Sequence, residues 1–131
     1  MGSKMKALLL TGLMLLTGSA WAEWQLVAIA AEDGDKYYSD PQSVRINGNK
    51  RLIWEIEDLK VRDKDGELSM RSRVEYDCSL ERARRLSFST HSGAMATGTV
   101  LLVKPINELT PWRDIPPGTV LELRFKYACA L

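Results

Sequence analysis

Residues 68–79, LSMRSRVEYDCS, alternate like a strand buried on one face. Leu68, Met70, Val74, Tyr76 and Cys78 project one way, and Ser69, Arg71, Arg73, Glu75 and Asp77 project the other. The last apolar position is a cysteine, and the chain has only one other, Cys129. If the two pair, the C-terminal segment is tied to the buried face of whatever sheet holds this strand. That tie, across 51 positions of sequence, limits the fold more than any other feature.

Whether the thiols pair depends on the compartment, and the N-terminus speaks to that. Lys4 and Lys6 precede an apolar run over residues 7–16, broken only by Thr11 and Gly12, and Ala20-Trp21-Ala22 is a small-x-small cleavage site. The pattern predicts a secretory signal peptide over residues 1–22 and one domain over residues 23–131. The apolar run falls short of the ~20 residues that span a bilayer. No cysteine stands near the cleavage site, so no lipid anchor is expected there. Two cysteines in an exported chain, without a C-x-x-C spacing, predict a structural disulfide between Cys78 and Cys129. Closing a loop of that length stabilises by ~4 kcal/mol on a chain-entropy estimate. Without Lys4 and Lys6 the chain carries 16 basic against 17 acidic side chains, a balance that argues against a dedicated nucleic-acid binder. A second long apolar stretch is absent from the sequence, so no membrane span is expected after cleavage.

Periodicity and turn residues then divide the domain. Residues 23–31 read as a first strand with apolar side chains on both faces, followed by an Asp33-Gly34 turn and a short strand over Lys36–Ser39. Asp40-Pro41-Gln42-Ser43 reads as a turn or one helical turn capped by Asp40. Asn47-Gly48-Asn49 predicts a hairpin between residues 44–46 and the run from Lys50. Along residues 51–59, Leu52, Trp54 and Ile56 alternate with Arg51, Glu55 and Glu57. If the next hairpin centres on Lys64, Trp54 meets Val74 and Leu52 meets Tyr76 on the core face. Glu57 then meets Arg71 and Glu55 meets Arg73 on the solvent face. Residues 84–90 predict a strand with Leu86 and Phe88 inward, and residues 97–104 the most apolar strand. Residues 105–117 carry four prolines and predict irregular backbone. The final segment supports two readings. Leu121, Leu123, Phe125, Tyr127 and Cys129 alternate as in a strand, yet Thr119-Val120-Leu121-Glu122 after Pro117-Gly118 is a capping box.

Chemistry is sparse. His91, the single histidine, has no partners at ligand spacing. Ser87, Ser89 and Ser92 lie near it without a Gly-x-Ser-x-Gly elbow. Residues 63–67, DKDGE, lack the spacing of a calcium loop. No catalytic residue, metal or cofactor is expected. Arg82, Arg84 and Arg85, with Arg71 and Arg73 on the neighbouring strand, form a candidate basic patch for an acidic protein segment or a sulfated glycan. An ordinary charged sheet face, neutralised by Glu55, Glu57 and Glu75, accounts for the same residues. Trp112 beside Pro111 is a candidate aromatic anchor, or core packing at the sheet edge.

Several pieces, taken in order, carry a resemblance. They are Trp24, Tyr37-Tyr38-Ser39-Asp40-Pro41-Gln42-Ser43-Val44-Arg45, Gly48-Asn49 before Trp54, and Glu75-Tyr76-Asp77-Cys78. Ser92-Gly93 with Gly98-Thr99-Val100, Trp112, Pro117-Gly118-Thr119 and Ala128-Cys129 complete the set. Together the chain resembles the surface-adhesin protein E family of Gram-negative envelope proteins. The resemblance implies an α+β fold: a roughly six-stranded antiparallel sheet with a C-terminal helix held to its concave face by a disulfide. It implies a non-enzymatic, exported protein of the periplasm or cell surface. Its partners would be other proteins, such as the host matrix and serum proteins vitronectin and laminin. The alternative is a soluble periplasmic accessory, an inhibitor or a small-ligand carrier, that shares the fold alone.

Overall fold

Turn chemistry sets where the strands begin. In the computed structural model, which describes residues 23–104 and 110–131, β1 (Gln25–Ile29) returns through Gly34, at φ +78°, into β2 (Lys36–Ser39). The Asp40 carboxylate accepts from the Gln42 N–H, and Pro41 opens a single 3-10 turn, as the sequence predicts. β3 (Arg45–Asn47) and β4 (Lys50–Asp58) form the expected hairpin across Gly48-Asn49. β5 (Ser69–Asp77), β6 (Arg82–His91), β7 (Val100–Lys104), β8 (Arg113–Asp114) and α1 (Val120–Cys129) follow. The expected signal peptide over residues 1–22 lies outside the described residues, as do residues 105–109.

All pairings are antiparallel, in the order β1-β2-β4-β5-β6-β7. β3 shares an edge of β4 with β2, and β8 shares an edge of β6 with β7. The sheet is thus six positions wide with eight strands, and the alternating stretch that ends at Cys78 lies in its middle. With one α-helix among the described residues, on one face, this is the α+β arrangement the family resemblance implies.

The β4–β5 register corrects the sequence reading by one residue. Trp54 pairs with Arg73, Ile53 with Val74, Glu55 with Ser72 and Ile56 with Arg71. The turn is off-centre. The Asp63 carboxylate accepts from the N–H groups of Asp65 and Glu67, and Gly66 at φ +86° donates to the Asp63 carbonyl. The slip moves every β4 side chain to the opposite face from the one expected. Ile53 and Glu55 point beneath the helix beside Val74 and Tyr76, while Trp54 lies outside with Arg71 and Arg73. The helix side tolerates Glu55 because a cation from α1 meets it there.

The C-terminal segment is helical over Val120–Cys129, and its strand-like alternation is overridden. Thr119 Oγ1 accepts from the Glu122 N–H at 3.2 Å, and Glu122 reaches back to the Gly118 N–H. Phe125 and Ala128 point down from α1 onto Ile53, Val74, Tyr76 and Ala83, forming the buried core. Phe125 and Tyr76 stack tilted, with ring centroids 6.1 Å apart. Cys78 and Cys129 are bonded at the margin of this core, as the sequence predicts.

The outermost strands depart from expectation. β1 is covered on the helix side through Ala28, but Leu26 and Ile29 are exposed because no layer covers its other face. β7, the most apolar strand, is exposed along its whole length, and among the described residues β6 is the one strand beside it.

Candidate functional site

The face of the sheet away from α1 is built from one side of β4, β5 and β6 plus the short β8. Strand alternation places Lys50 and Trp54, then Arg71, Arg73, Glu75 and Asp77, then Arg82 and Arg84 on this outer face. β8 pairs Asp114 with Arg82 and Arg113 with Ala83, so Trp112 joins the outer face while Arg113 points to the helix side.

Two indole rings organise the cations. Arg71 and Arg73 flank Trp54, with guanidinium carbons 4.6 Å and 5.7 Å from the ring centroid. Arg84, Arg82 and Lys50 approach Trp112 at 4.3, 4.5 and 5.7 Å. Contacts of this kind add about 0.5–1 kcal/mol each at exposed sites. Arg84 also binds Glu75 at 2.6 Å, and Arg82 reaches Asp77 at 3.4 Å. The Leu80 N–H holds the Asp77 carboxyl below its ordinary pKa, with the Ser79 hydroxyl, the Ser79 N–H and the Arg82 charge adding to the effect against some burial. Arg71 and Arg73 have no carboxylate within ion-pair distance among the described residues.

Of the candidates named from sequence, the structure gathers Arg71, Arg73, Arg82, Arg84 and Trp112 on one face. It removes Arg85. A bulge pairs Arg73 with Ser87 but Val74 with Arg85, which leaves Leu86 unmatched and turns Arg85 to the helix side. There its guanidinium covers Phe88 at 5.1 Å. Of the three carboxylates expected to neutralise the patch, only Glu75 is on this face; Glu55 and Glu57 lie opposite. Sequence reasoning missed Trp54 and Lys50. A signal was present, because a register one residue shorter sets Trp54 against Arg73.

On the helix side, Glu55 is 2% exposed and receives four groups. Arg124 Nη2 donates to it at 2.6 Å, Arg124 Nε at 3.3 Å, the Tyr76 hydroxyl at 2.9 Å and Ser39 Oγ at 3.3 Å. Burial pushes the Tyr76 phenol well above its ordinary pKa, and the Glu55 charge adds to this. Burial alone would lower the Arg124 pKa, but Glu55, with Tyr76 and Glu57 adding to it, outweighs burial and raises the value. Tyr37 donates to Glu57 and is likewise raised, first by burial and then by that carboxylate.

His91 is the last residue of β6 rather than a loop residue, and it is buried. Its Nε2 meets Ser89 Oγ at 2.8 Å, Nδ1 has no partner among the described residues, and burial followed by the Arg71 charge lowers its pKa. Without a carboxylate to orient the ring, the pair lacks the third member of a nucleophilic triad. Among the described residues no three His, Cys, Asp or Glu side chains converge as metal ligands. No helix among them is long and apolar enough to cross a membrane.

A family model described as surface-adhesin protein E matches residues 24–130. The fold is similar to that of protein E from Haemophilus influenzae. One structure, of its selenomethionine form, has a TM-score of 0.61 at 12% identity, covering 84% of this chain and 91% of that one. A structure from a non-typeable strain gives 0.55 at 13%, covering 80% and 75%. A second crystal form gives 0.54 at 15%, covering 83% and 97%. Among curated protein sequences, none matches this chain.

Proposed function

The chain belongs to the surface-adhesin protein E family, and on that footing we propose that it is an exported, non-enzymatic protein that binds a protein partner through the outer face of its sheet. The observation that carries this reading is the Arg71–Trp54–Arg73 stack. It holds two guanidinium groups over an indole, without carboxylate partners among the described residues, on the face that also carries a second indole at Trp112. Planar donors on a rigid aromatic base suit bidentate capture of carboxylates, so the partner would present an acidic segment. Host matrix and serum proteins are the first partners to test.

The test is binding of the purified, oxidised protein to immobilised matrix and serum proteins at two salt concentrations. An R71A/R73A double variant should bind at least tenfold more weakly, while R45A, an exposed arginine outside the stack, should bind as the parent does. Affinity should fall with salt. Equal binding by parent and double variant would rule out this face. Protease accessibility on intact cells tests surface display separately. A protein found wholly in periplasmic extracts would favour the soluble accessory reading.

A further inference from the structure

The helix side holds a cleft of about 290 Å³ between the first turn of α1 and the sheet. Its walls are divided. Val74, Ala83 and Leu121 supply apolar surface, and Arg85, Arg113 and Arg124 supply cations. Arg124 is balanced, because Glu55 takes both of its hydrogen bonds. Of the other carboxylates near the cleft, Glu57 accepts from Tyr37, and Glu122 is taken by the Gly118 N–H and Lys126. Arg85 and Arg113 have no carboxylate within ion-pair distance among the described residues. The one hydrogen-bond acceptor Arg85 reaches among them is the Met70 sulfur, at 3.7 Å. Burial and then the charges of Arg124 and Arg113 lower its pKa, against the opposing influence of Glu57 and Glu55. The cleft therefore has surplus positive charge in a partly desolvated place. The helix terminus adds little, since Thr119 already caps the Glu122 N–H and Glu122 occupies the first turn.

We propose that this cleft binds a small amphipathic oxyanion, its anionic head paired with Arg85 and Arg113 and its apolar body resting on Val74, Ala83 and Leu121. The volume lies at the small end of ligand sites, which fits a single ring or a chain of about six carbons. Two guanidinium groups lining one cleft match a carboxylate, sulfonate or phosphate monoester head. Arg84 borders both the cleft and the outer face, but Arg85 and Arg113 belong to the cleft and Arg71 and Arg73 to the outer face, so either reading can fail without the other.

The probes are sodium hexanoate and benzoate, with hexanol as the neutral match and sodium sulfate as the head alone. Each is titrated into the ¹⁵N-labelled, oxidised protein at constant ionic strength. Hexanoate or benzoate should give saturable shifts at the amides of Ala83, Thr119, Val120 and Leu121. Hexanol and sulfate should each bind at least tenfold more weakly, since one loses the charge facing two arginines and the other loses the apolar body. Arg85 and Arg113 are exposed enough to change without disturbing the core, and R85A and R113A should each weaken hexanoate by about tenfold while R71A does not. The absence of saturable shifts at these amides would overturn the proposal. So would hexanol or sulfate binding as tightly as hexanoate, a result that needs no variant to fold.

Discussion

Replacing Arg124 by Met tests why a charge belongs under the helix. Met keeps the volume of the side chain's stem and removes its cation. Glu55, 2% exposed, would retain the Tyr76 and Ser39 hydroxyls but lose its counter-charge. Breaking a buried pair in this way costs about 3–5 kcal/mol. The cost has a ceiling, because the stranded carboxylate can take up a proton. At pH 7 that uptake costs about 3.7 kcal/mol from a glutamic acid's ordinary value of about 4.3, and at pH 5 about 1 kcal/mol. R124M should therefore lose about 3–4 kcal/mol at pH 7, roughly 10–15 °C in Tm for a domain this size. It should recover about 2–3 kcal/mol between pH 7 and pH 5. The sign follows from linkage: in the variant the folded-state value of Glu55 rises above its unfolded value, so the folded form binds more protons and gains stability as pH falls toward the unfolded value. The R124M/E55Q double variant, with no buried charge, should be close to the parent and flat over the same range. Urea denaturation followed by circular dichroism at pH 5, 6 and 7 measures all three. A cost below about 1 kcal/mol at pH 7 would show that the ion pair is not what holds Glu55 beneath α1. So would equal losses at pH 5 and pH 7, or no rescue by E55Q.

Three further outcomes follow from the same structure. Reduction of Cys78–Cys129, or a C78S/C129S variant, should lower stability by about 4 kcal/mol from the 51-residue separation, read as a shift in urea midpoint; a loss under 1 kcal/mol would mean that α1 is held by packing alone. T119A, which removes the acceptor for the Glu122 N–H, should cost about 1 kcal/mol of global stability by the same melts. Because the Asp77 carboxyl titrates below its ordinary value, it stabilises the fold above the unfolded pKa and that contribution is lost as pH falls through the folded one, so D77N should flatten the acid limb of the stability profile below about pH 4.

Local backbone chemistry was legible in the sequence, and long-range pairing was less so. Asp40-Pro41 and Asn47-Gly48 each specify their own turn through hydrogen bonds within a few residues and form as read, and the Thr119–Glu122 cap settles a segment whose residues alone left strand and helix open. The disulfide was readable from the expected signal peptide and the cysteine count. The β4 faces were not, because the reading assumed that the apolar side of a strand meets the core. Here Glu55 occupies a core position, satisfied by Arg124, which lies 69 residues away in sequence and becomes a neighbour only after folding. Arg85 was misplaced for a related reason: the Leu86 bulge changes strand parity, and nothing in RRLSFST marks it. The exposed β7 shows the limit of composition, since its VLLVK run reads as interior while the sheet order places it beside β6 alone among the described residues.

The stacking of cations on Trp54 and Trp112 has a practical result. Of the other two indoles, Trp24 precedes β1 at the far edge of the sheet and Trp21 falls within the expected signal peptide. An acidic ligand that draws Arg71 or Arg84 off its ring alters the local field at that chromophore. Engagement of the outer face should then register as a change in native emission, with Trp24 as the internal standard, so occupancy can be followed without attaching any dye.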